Sequence, residues 1–389
     1  MMAWSERLST LAQEIPPSGI RRFFDLAETM DDVISLGVGE PDFVTPWHIR
    51  EAGLYALERG MTAYTANAGL FSLRTAISGY LSERFGLEYS PDSNILVTVG
   101  GSQAIDLALR VTVRPGDPIL VPEPTYVAYR PLIHLAGGQA VSVPLRAENG
   151  FRLSEEDLLS YQSSMARTLI LCNPSNPTGA VIERRALERL AKVIEEMDLL
   201  VIADEIYAEI LYDADYCSIA SVSGMRDRTV VVAGFSKAFA MTGWRLGYAA
   251  GPQEIIQTML RVHQYSMLCA PVMAQMAALE ALDKGLTDVS AMVTEYDRRR
   301  RLIVHGLREL GLPTANPQGA FYVFPEIRGT GLSSSAFAED LLRQQRVAVV
   351  PGSVFGDSGE GFVRCSYATA ISQLERALER IRQYLRAGG

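Results

Sequence analysis

The chain has 389 residues, 48% of them hydrophobic and 21% charged, with a formal net charge of −9. That length can bury one large core and a smaller second one, and the composition is that of a globular protein rather than a disordered or fibrous chain. The acidic balance gives no broad attraction to phosphate backbones, which argues against a nucleic-acid partner, and no apolar run is long enough to span a bilayer.

The opening residues, Met1 to Arg7, meet an acid early and lack the apolar stretch of a secretory signal. Residues 5–15 read as a short helix, Pro16-Pro17 breaks it, a second helix is predicted over 20–29, and a short strand over 33–36. Apolar runs at 95–99, 119–121, 140–143, 168–172, 199–203, 229–233 and 246–250 then alternate with helical patterns. This predicts an α/β layer around a seven-stranded, mostly parallel sheet. The helix expected over 287–310 carries Arg298 to Arg301 close behind Glu295 and Asp297, and reads as a charged, solvated face. Strands at 320–324, 347–350 and 361–366, with helices over 334–345 and from 372, predict a smaller α+β unit. The expected division is a large domain over 46–285 and a small domain built from 1–45 and 286–389.

Ligands of open α/β sheets gather at the carboxyl ends of the strands, so the residues following each run are the candidates. Gly100-Gly101-Ser102-Gln103 opens a helix after the first run, a small-residue turn suited to holding a phosphate by its N–H groups and hydroxyl. Later strand ends present Asn176 in Asn173-Pro174-Ser175-Asn176-Pro177-Thr178-Gly179, then Asp204-Glu205-Ile206-Tyr207, then Gly234-Phe235-Ser236-Lys237, with Arg245 further on. Of 36 basic residues only Lys192, Lys237 and Lys284 are lysines. Arginine serves wherever a charge suffices but cannot act as an amine nucleophile, so the lysines stand out. Lys192 and Lys284 fall in polar helical segments, whereas Lys237 follows a buried strand.

Chemistry at the α-carbon of an amino acid needs an electron sink. Pyridoxal 5′-phosphate (PLP) is one when a carboxylate keeps its ring nitrogen protonated and a lysine amine carries its aldehyde. The set fits those needs: Asp204 for the pyridinium, Asn176 and Tyr207 for the phenolate oxygen, Ser102, Ser236 and Arg245 for the phosphate. Lys237 would carry the cofactor and, once displaced, act as the base for the α-proton. Singly, each has a plainer reading: a helix cap at Asp204, ordinary turns at Asn176 and at Gly100-Gly101-Ser102, a surface lysine at Lys237. Their joint occurrence carries the inference. The four cysteines, Cys172, Cys217, Cys269 and Cys365, are far apart, which fits a cytoplasmic protein without disulfides, and the four histidines show no metal-ligand spacing.

The run from Ser236 to Gly247, Ser-Lys-Ala-Phe-Ala-Met-Thr-Gly-Trp-Arg-Leu-Gly, resembles the lysine signature of class I aminotransferases. Asn176-Pro177-Thr178-Gly179, Asp204-Glu205-Ile206-Tyr207 and Gly39-Glu40-Pro41-Asp42-Phe43 resemble further motifs of that family, and the likeness spans nearly the whole chain. It implies a fold-type I PLP-dependent transferase of the aspartate aminotransferase superfamily, gamma subgroup. Such an enzyme takes aromatic, aspartate or a broad range of amino acid donors, usually with 2-oxoglutarate as acceptor, and works as a homodimer with composite sites. By position the resemblance implies that Gly101 and Gln103 join Ser102 in the cofactor turn and that Tyr126 stacks on the cofactor. It likewise implies that Tyr64 reaches the phosphate in the neighbouring subunit, that Arg364 grips the substrate α-carboxylate, and that the Gly39 backbone faces substrate. One departure is Gly234, where some relatives carry a phosphate-binding serine. A carbon–sulfur β-lyase would need the same lysine, aspartate, tyrosine and arginine. A PLP-sensing transcription regulator would need an attached DNA-binding domain, and the start of the likeness within a few residues of Met1 makes that reading remote.

Overall fold

The computed structural model describes residues 7–17, 19–20 and 29–387. After a two-residue strand β1 (Ile34–Ser35) come β2 (Ile95–Thr98), β3 (Pro118–Glu123), β4 (Gln139–Pro144), β5 (Thr168–Cys172), β6 (Leu200–Asp204), β7 (Thr229–Gly234) and β8 (Gly247–Ala250). The last seven form one sheet in the order β2-β8-β7-β6-β5-β3-β4. β8 runs antiparallel to both its neighbours and every other pairing is parallel.

Helices cover both faces, so the strands read as continuous Val/Ile/Leu runs rather than alternating ones. Successive residues nonetheless serve opposite faces. Leu169, Leu171 and Val201 pack with Leu187, Leu190 and Ile194 of the helix Arg184–Glu196. Ile170, Ile202 and Val230 pack on the other side with Ala104, Ile105 and Ala108 of the helix Gly101–Thr112.

Four short strands complete the structure: β9 (Tyr322–Val323), β10 (Val347–Ala348), β11 (Val350–Pro351) and β12 (Val363–Ser366). β11, β12 and β9 make an antiparallel sheet, and β10 pairs in parallel with β1. The two ends of the chain therefore meet. Leu36 donates its N–H to Ala348 O at 2.8 Å and accepts from Ser366 N at 2.6 Å, which suspends the segment that follows, Gly37 to Phe43, above the ends of the large sheet.

All seven large-sheet strands fall where the apolar runs predict them. The 347–350 run is split into two strands and the 320–324 run shrinks to Tyr322–Val323. The helix expected over 5–15 is present as Thr10–Gln13, with residues 5 and 6 outside the described residues, as is most of the helix expected over 20–29. The arginine run needs correction. In the helix Leu286–Glu309 the Arg298 and Arg301 side chains are 73% and 69% exposed, but those of Arg299 and Arg300 are 7% and 5% exposed. The helical period turns the middle pair inward. There Arg299 bonds Asp42 at 2.8 Å and Glu295 at 3.0 Å, and Arg300 bonds Asp297 at 2.7 Å and the Pro317 carbonyl at 3.0 Å. No helix among the described residues is long and apolar enough to cross a membrane.

Gly234 and Gly247 face each other across β7 and β8. A Cβ on Gly247 would lie 2.7 Å from Gly100 C and Gly101 N, and one on Gly234 would lie 2.9 Å from Gly247 Cα. The glycine at 234 thus has a steric reason: a side chain there would run into the backbone of β8 at Leu246 and Gly247, as one at 247 would run into the turn after β2. Gly247→Ala is expected to lower stability by about 1–3 kcal/mol in urea unfolding, the usual cost of overpacking. A loss below about 0.5 kcal/mol would show that the strand and the turn can part freely.

Candidate active site

A cavity of about 330 Å³ opens at the carboxyl ends of β5, β6 and β7, beside the start of the helix Gly101–Thr112. The large sheet contributes Asn176, Asp204, Tyr207, Ser236, Lys237 and Arg245 to its wall. Gly101, Ser102 and Tyr126 line it from the helix start and from the loop after β3, and Gly39 and Arg364 from the joined chain ends. Eleven of the sequence candidates thus share one cavity.

Asp204, the last residue of β6, is buried at its floor. The Tyr129 hydroxyl donates to its Oδ2 at 2.5 Å and the Ile206 N–H to its Oδ1 at 3.3 Å. Burial pushes its pKa up, while the Tyr129 bond, the Ile206 N–H and the charge of Lys237 oppose the rise. Among the described residues no basic side chain forms an ion pair with it, so one face of a buried carboxylate is left for a ligand.

Lys237 follows β7, and its Nζ donates to the Gly39 carbonyl at 2.6 Å. Burial lowers its pKa to about 8, and the positive charges of Arg364 and Arg245 push the same way, against Glu40 and Asp204. Lys192 and Lys284 lie on helix surfaces, Lys284 within 2.8 Å of Glu280.

Arg364 comes from β12 and is 3% exposed. Its Nη1 donates to Asn176 Oδ1 at 3.0 Å and its Nη2 to the Gly37 carbonyl at 2.6 Å, and its guanidinium lies 4.5 Å from the Tyr322 ring centroid. Its Nε has no partner among the described residues, and none of its partners is a carboxylate. Tyr207 is buried with its hydroxyl 2.7 Å from that of Tyr322. At the rim, Arg245 has a left-handed backbone, φ +54°, and donates to the Thr242 carbonyl at 3.0 Å. Its Nη2 would be 2.5 Å from a Cβ on Gly100, whose own φ of +82° also favours glycine.

Two candidates lie elsewhere. The Gln103 side chain turns back to accept from Val99 N at 2.7 Å and to meet His263 Nδ1 at 3.2 Å, leaving its backbone N–H in the first helical turn. Tyr64 is 83% exposed, on the surface. Sequence reasoning missed Tyr129 and Tyr322, two aromatic residues in apolar segments that carry no motif of their own.

The described geometry meets a clear parallel among known proteins. The family model "Aminotransferase class I and II" matches residues 31–381. YugH of Bacillus subtilis (strain 168), described as an inferred aminotransferase, is 56% identical, with 97% of this chain and 98% of that protein covered. An aspartate aminotransferase of Pyrococcus abyssi (strain GE5 / Orsay) is 47% identical, with 99% of each covered. The crystal structure of an aromatic aminotransferase from Pyrococcus horikoshii OT3 superposes with a TM-score of 0.90 at 48% identity, covering 94% of this chain and 99% of that one. The chain belongs to the class I and II aminotransferases. Its fold is fold-type I, and its reaction is amino-group transfer between amino and oxo acids.

The depressed pKa of Lys237 has a direct readout. In cofactor-free protein, one of the three lysine amine NMR signals is expected to titrate near 8 and to vanish in Lys237→Arg; three ordinary midpoints would contradict the burial argument. The native amine loses its proton at about 8 and the unfolded one at its ordinary 10.5. The unfolded chain therefore binds more protons between those values, and this group's burial penalty, full below pH 8, fades as pH rises through that window.

Proposed function

We propose that this aminotransferase works through PLP carried on Lys237, and moves the α-amino group of aromatic or a broad range of L-amino acids to 2-oxoglutarate. The observation that carries the reading is Arg364, a buried guanidinium with an unpaired Nε beside the cavity and no carboxylate partner among the described residues. Such a cation calls for an anionic ligand, and its planar fork suits a carboxylate. Asp204 is its complement, a buried anion awaiting a cation.

These residues fit the cofactor. Asp204 would hold the protonated ring nitrogen, Asn176 and Tyr207 the phenolate oxygen, and Tyr126 the ring face. Ser102, Ser236, Arg245 and the first-turn N–H groups of Gly101 and Gln103 would hold the phosphate. When bound, PLP supplies the electron sink that makes the substrate α-carbon acidic. Lys237, with a pKa of about 8, keeps enough neutral amine near neutral pH to take that proton at Nζ and return it. The Gly39 carbonyl aims the amine, and Arg364 fixes the carboxylate so that the α-carbon cannot swing away.

Lys237, Arg245 and Arg364 are the basic residues among the described cavity lining, and each already has a task. Among the described residues no further cation is set aside for a side-chain carboxylate, and the aromatic or broad donor range rests on the likeness to the aromatic aminotransferase named above. Tyr64, Tyr265 and Trp47, 83%, 88% and 58% exposed, support a homodimer in which Tyr64 completes the partner's phosphate site. The pairing of β1 with β10 supports a small domain of residues 1–45 and 286–389 beside a large one of 46–285. The free cysteines agree with a cytoplasmic location.

Purified holoenzyme mixed with one amino acid at a time, without any oxo acid, is expected to lose its visible cofactor band and release the matching oxo acid stoichiometrically. The responsive amino acids name the donor range, and response to aspartate alone would overturn the aromatic or broad range. Pyruvate and ammonia released from cystathionine with the band unchanged would point instead to β-lyase chemistry. Lys237→Ala is expected to lose nearly all turnover. Arg364→Lys keeps a charge but loses the fork, and is expected to raise the donor KM about tenfold or more with cofactor binding retained.

A further inference from the structure

Tyr322 lies opposite Ser366 in the antiparallel pairing of β9 with β12, on the same sheet face as Arg364 two residues earlier. It lines the cavity. Its hydroxyl is 2.7 Å from that of Tyr207 and its ring centroid 4.5 Å from the Arg364 guanidinium. A Cβ on Gly39 would fall 2.6 Å from the Tyr322 oxygen, so a side chain at 39 and a hydroxyl at 322 exclude each other. The Gly39 carbonyl in turn holds the Lys237 amine.

We propose that Tyr322 is a positioning residue for amino transfer, its hydroxyl fixing the rotor of Tyr207 and its ring face holding Arg364 level with the cavity. The assignment rests on the reading of the site given above. Arg364 needs a partner that steadies it without taking up its N–H fork. A carboxylate would occupy that fork, and an aliphatic side chain would leave the cation without attraction. An aromatic face attracts the guanidinium most where water is excluded, and uses none of its donors. The hydroxyl has a separate task. Tyr207 has one proton to give, and when it gives that proton to a ligand oxygen, its own oxygen must accept from behind. Tyr322 supplies that donor, which fixes the direction of the Tyr207 bond and strengthens it. Core packing explains the buried ring, 4.9 Å from Phe321 by centroid, but not the hydroxyl, since phenylalanine fills the same space.

Two holoenzyme variants separate the two tasks. Tyr322→Phe keeps the ring, so the Kd for 3-phenylpropanoate, a carboxylate without an amine, is expected to stay within about twofold of wild type. Weaker donation from Tyr207 disfavours the ionised phenolate, so the pH midpoint of the cofactor's visible absorbance should rise by about half a unit. Its kcat should fall more than its KM rises. Tyr322→Met keeps most of the volume but not the π face, and is expected to weaken 3-phenylpropanoate about tenfold with a parallel rise in KM. An unshifted midpoint in Tyr322→Phe, or wild-type affinity in Tyr322→Met, overturns the proposal. If Tyr322→Met does not fold, the Tyr322→Phe midpoint decides alone. If wild-type holoenzyme itself fails to bind 3-phenylpropanoate, the assignment of Arg364 to the substrate carboxylate fails, and the midpoint still judges the hydroxyl.

Discussion

A guanidinium and a carboxylate, each buried and neither paired with the other, set the terms for the rest of this structure. Arg364 is held by an amide oxygen, a backbone carbonyl and aromatic faces, all uncharged. Asp204 is held by a phenol and a backbone N–H. Burying either charge costs several kcal/mol unless a counter-charge arrives, and breaking such a balance is costlier than never building it. A protein maintains two such groups beside one cavity when the counter-charges come with the ligand. On the function proposed above, an amino acid would bring the carboxylate, and a protonated pyridine ring the cation.

The backbone makes this affordable. Parallel strands β5, β6 and β7 bring Asn176, Asp204 and Lys237 to one end of the sheet. The glycine pair at 234 and 247 lets the turn after β2 settle against that end, so the first N–H groups of the helix Gly101–Thr112 face the same space. Arg299 and Arg300, turned inward, then lock the chain ends to the long helix. Arg299 reaches Asp42, next to the Gly39 segment that aims the lysine.

Much of this is legible in the sequence, and the illegible parts have physical causes. The strands stand out because burial on both faces leaves uninterrupted branched apolar runs, yet their order does not, because nothing local says that β8 lies between β2 and β7. Lys237 is conspicuous because amines are scarce in this chain, and Asp204 because it ends such a run. Tyr129 and Tyr322 escape because their meaning lies in partners 75 and 115 residues away. The arginine run shows a third limit. Helical phase says which side chains share a face, but only the packed neighbours say whether that face meets water or acids.

The bond from Arg364 to the Gly37 carbonyl joins residues 327 positions apart in the chain. On a ribosome, where domains fold as they emerge, the strands carrying Asp204 and Lys237 are made well before β12. With the roles proposed above, the growing protein would own the means to hold a cofactor for some time before it could grasp a substrate, and the grip on the amino acid would be among the last parts of the enzyme to exist.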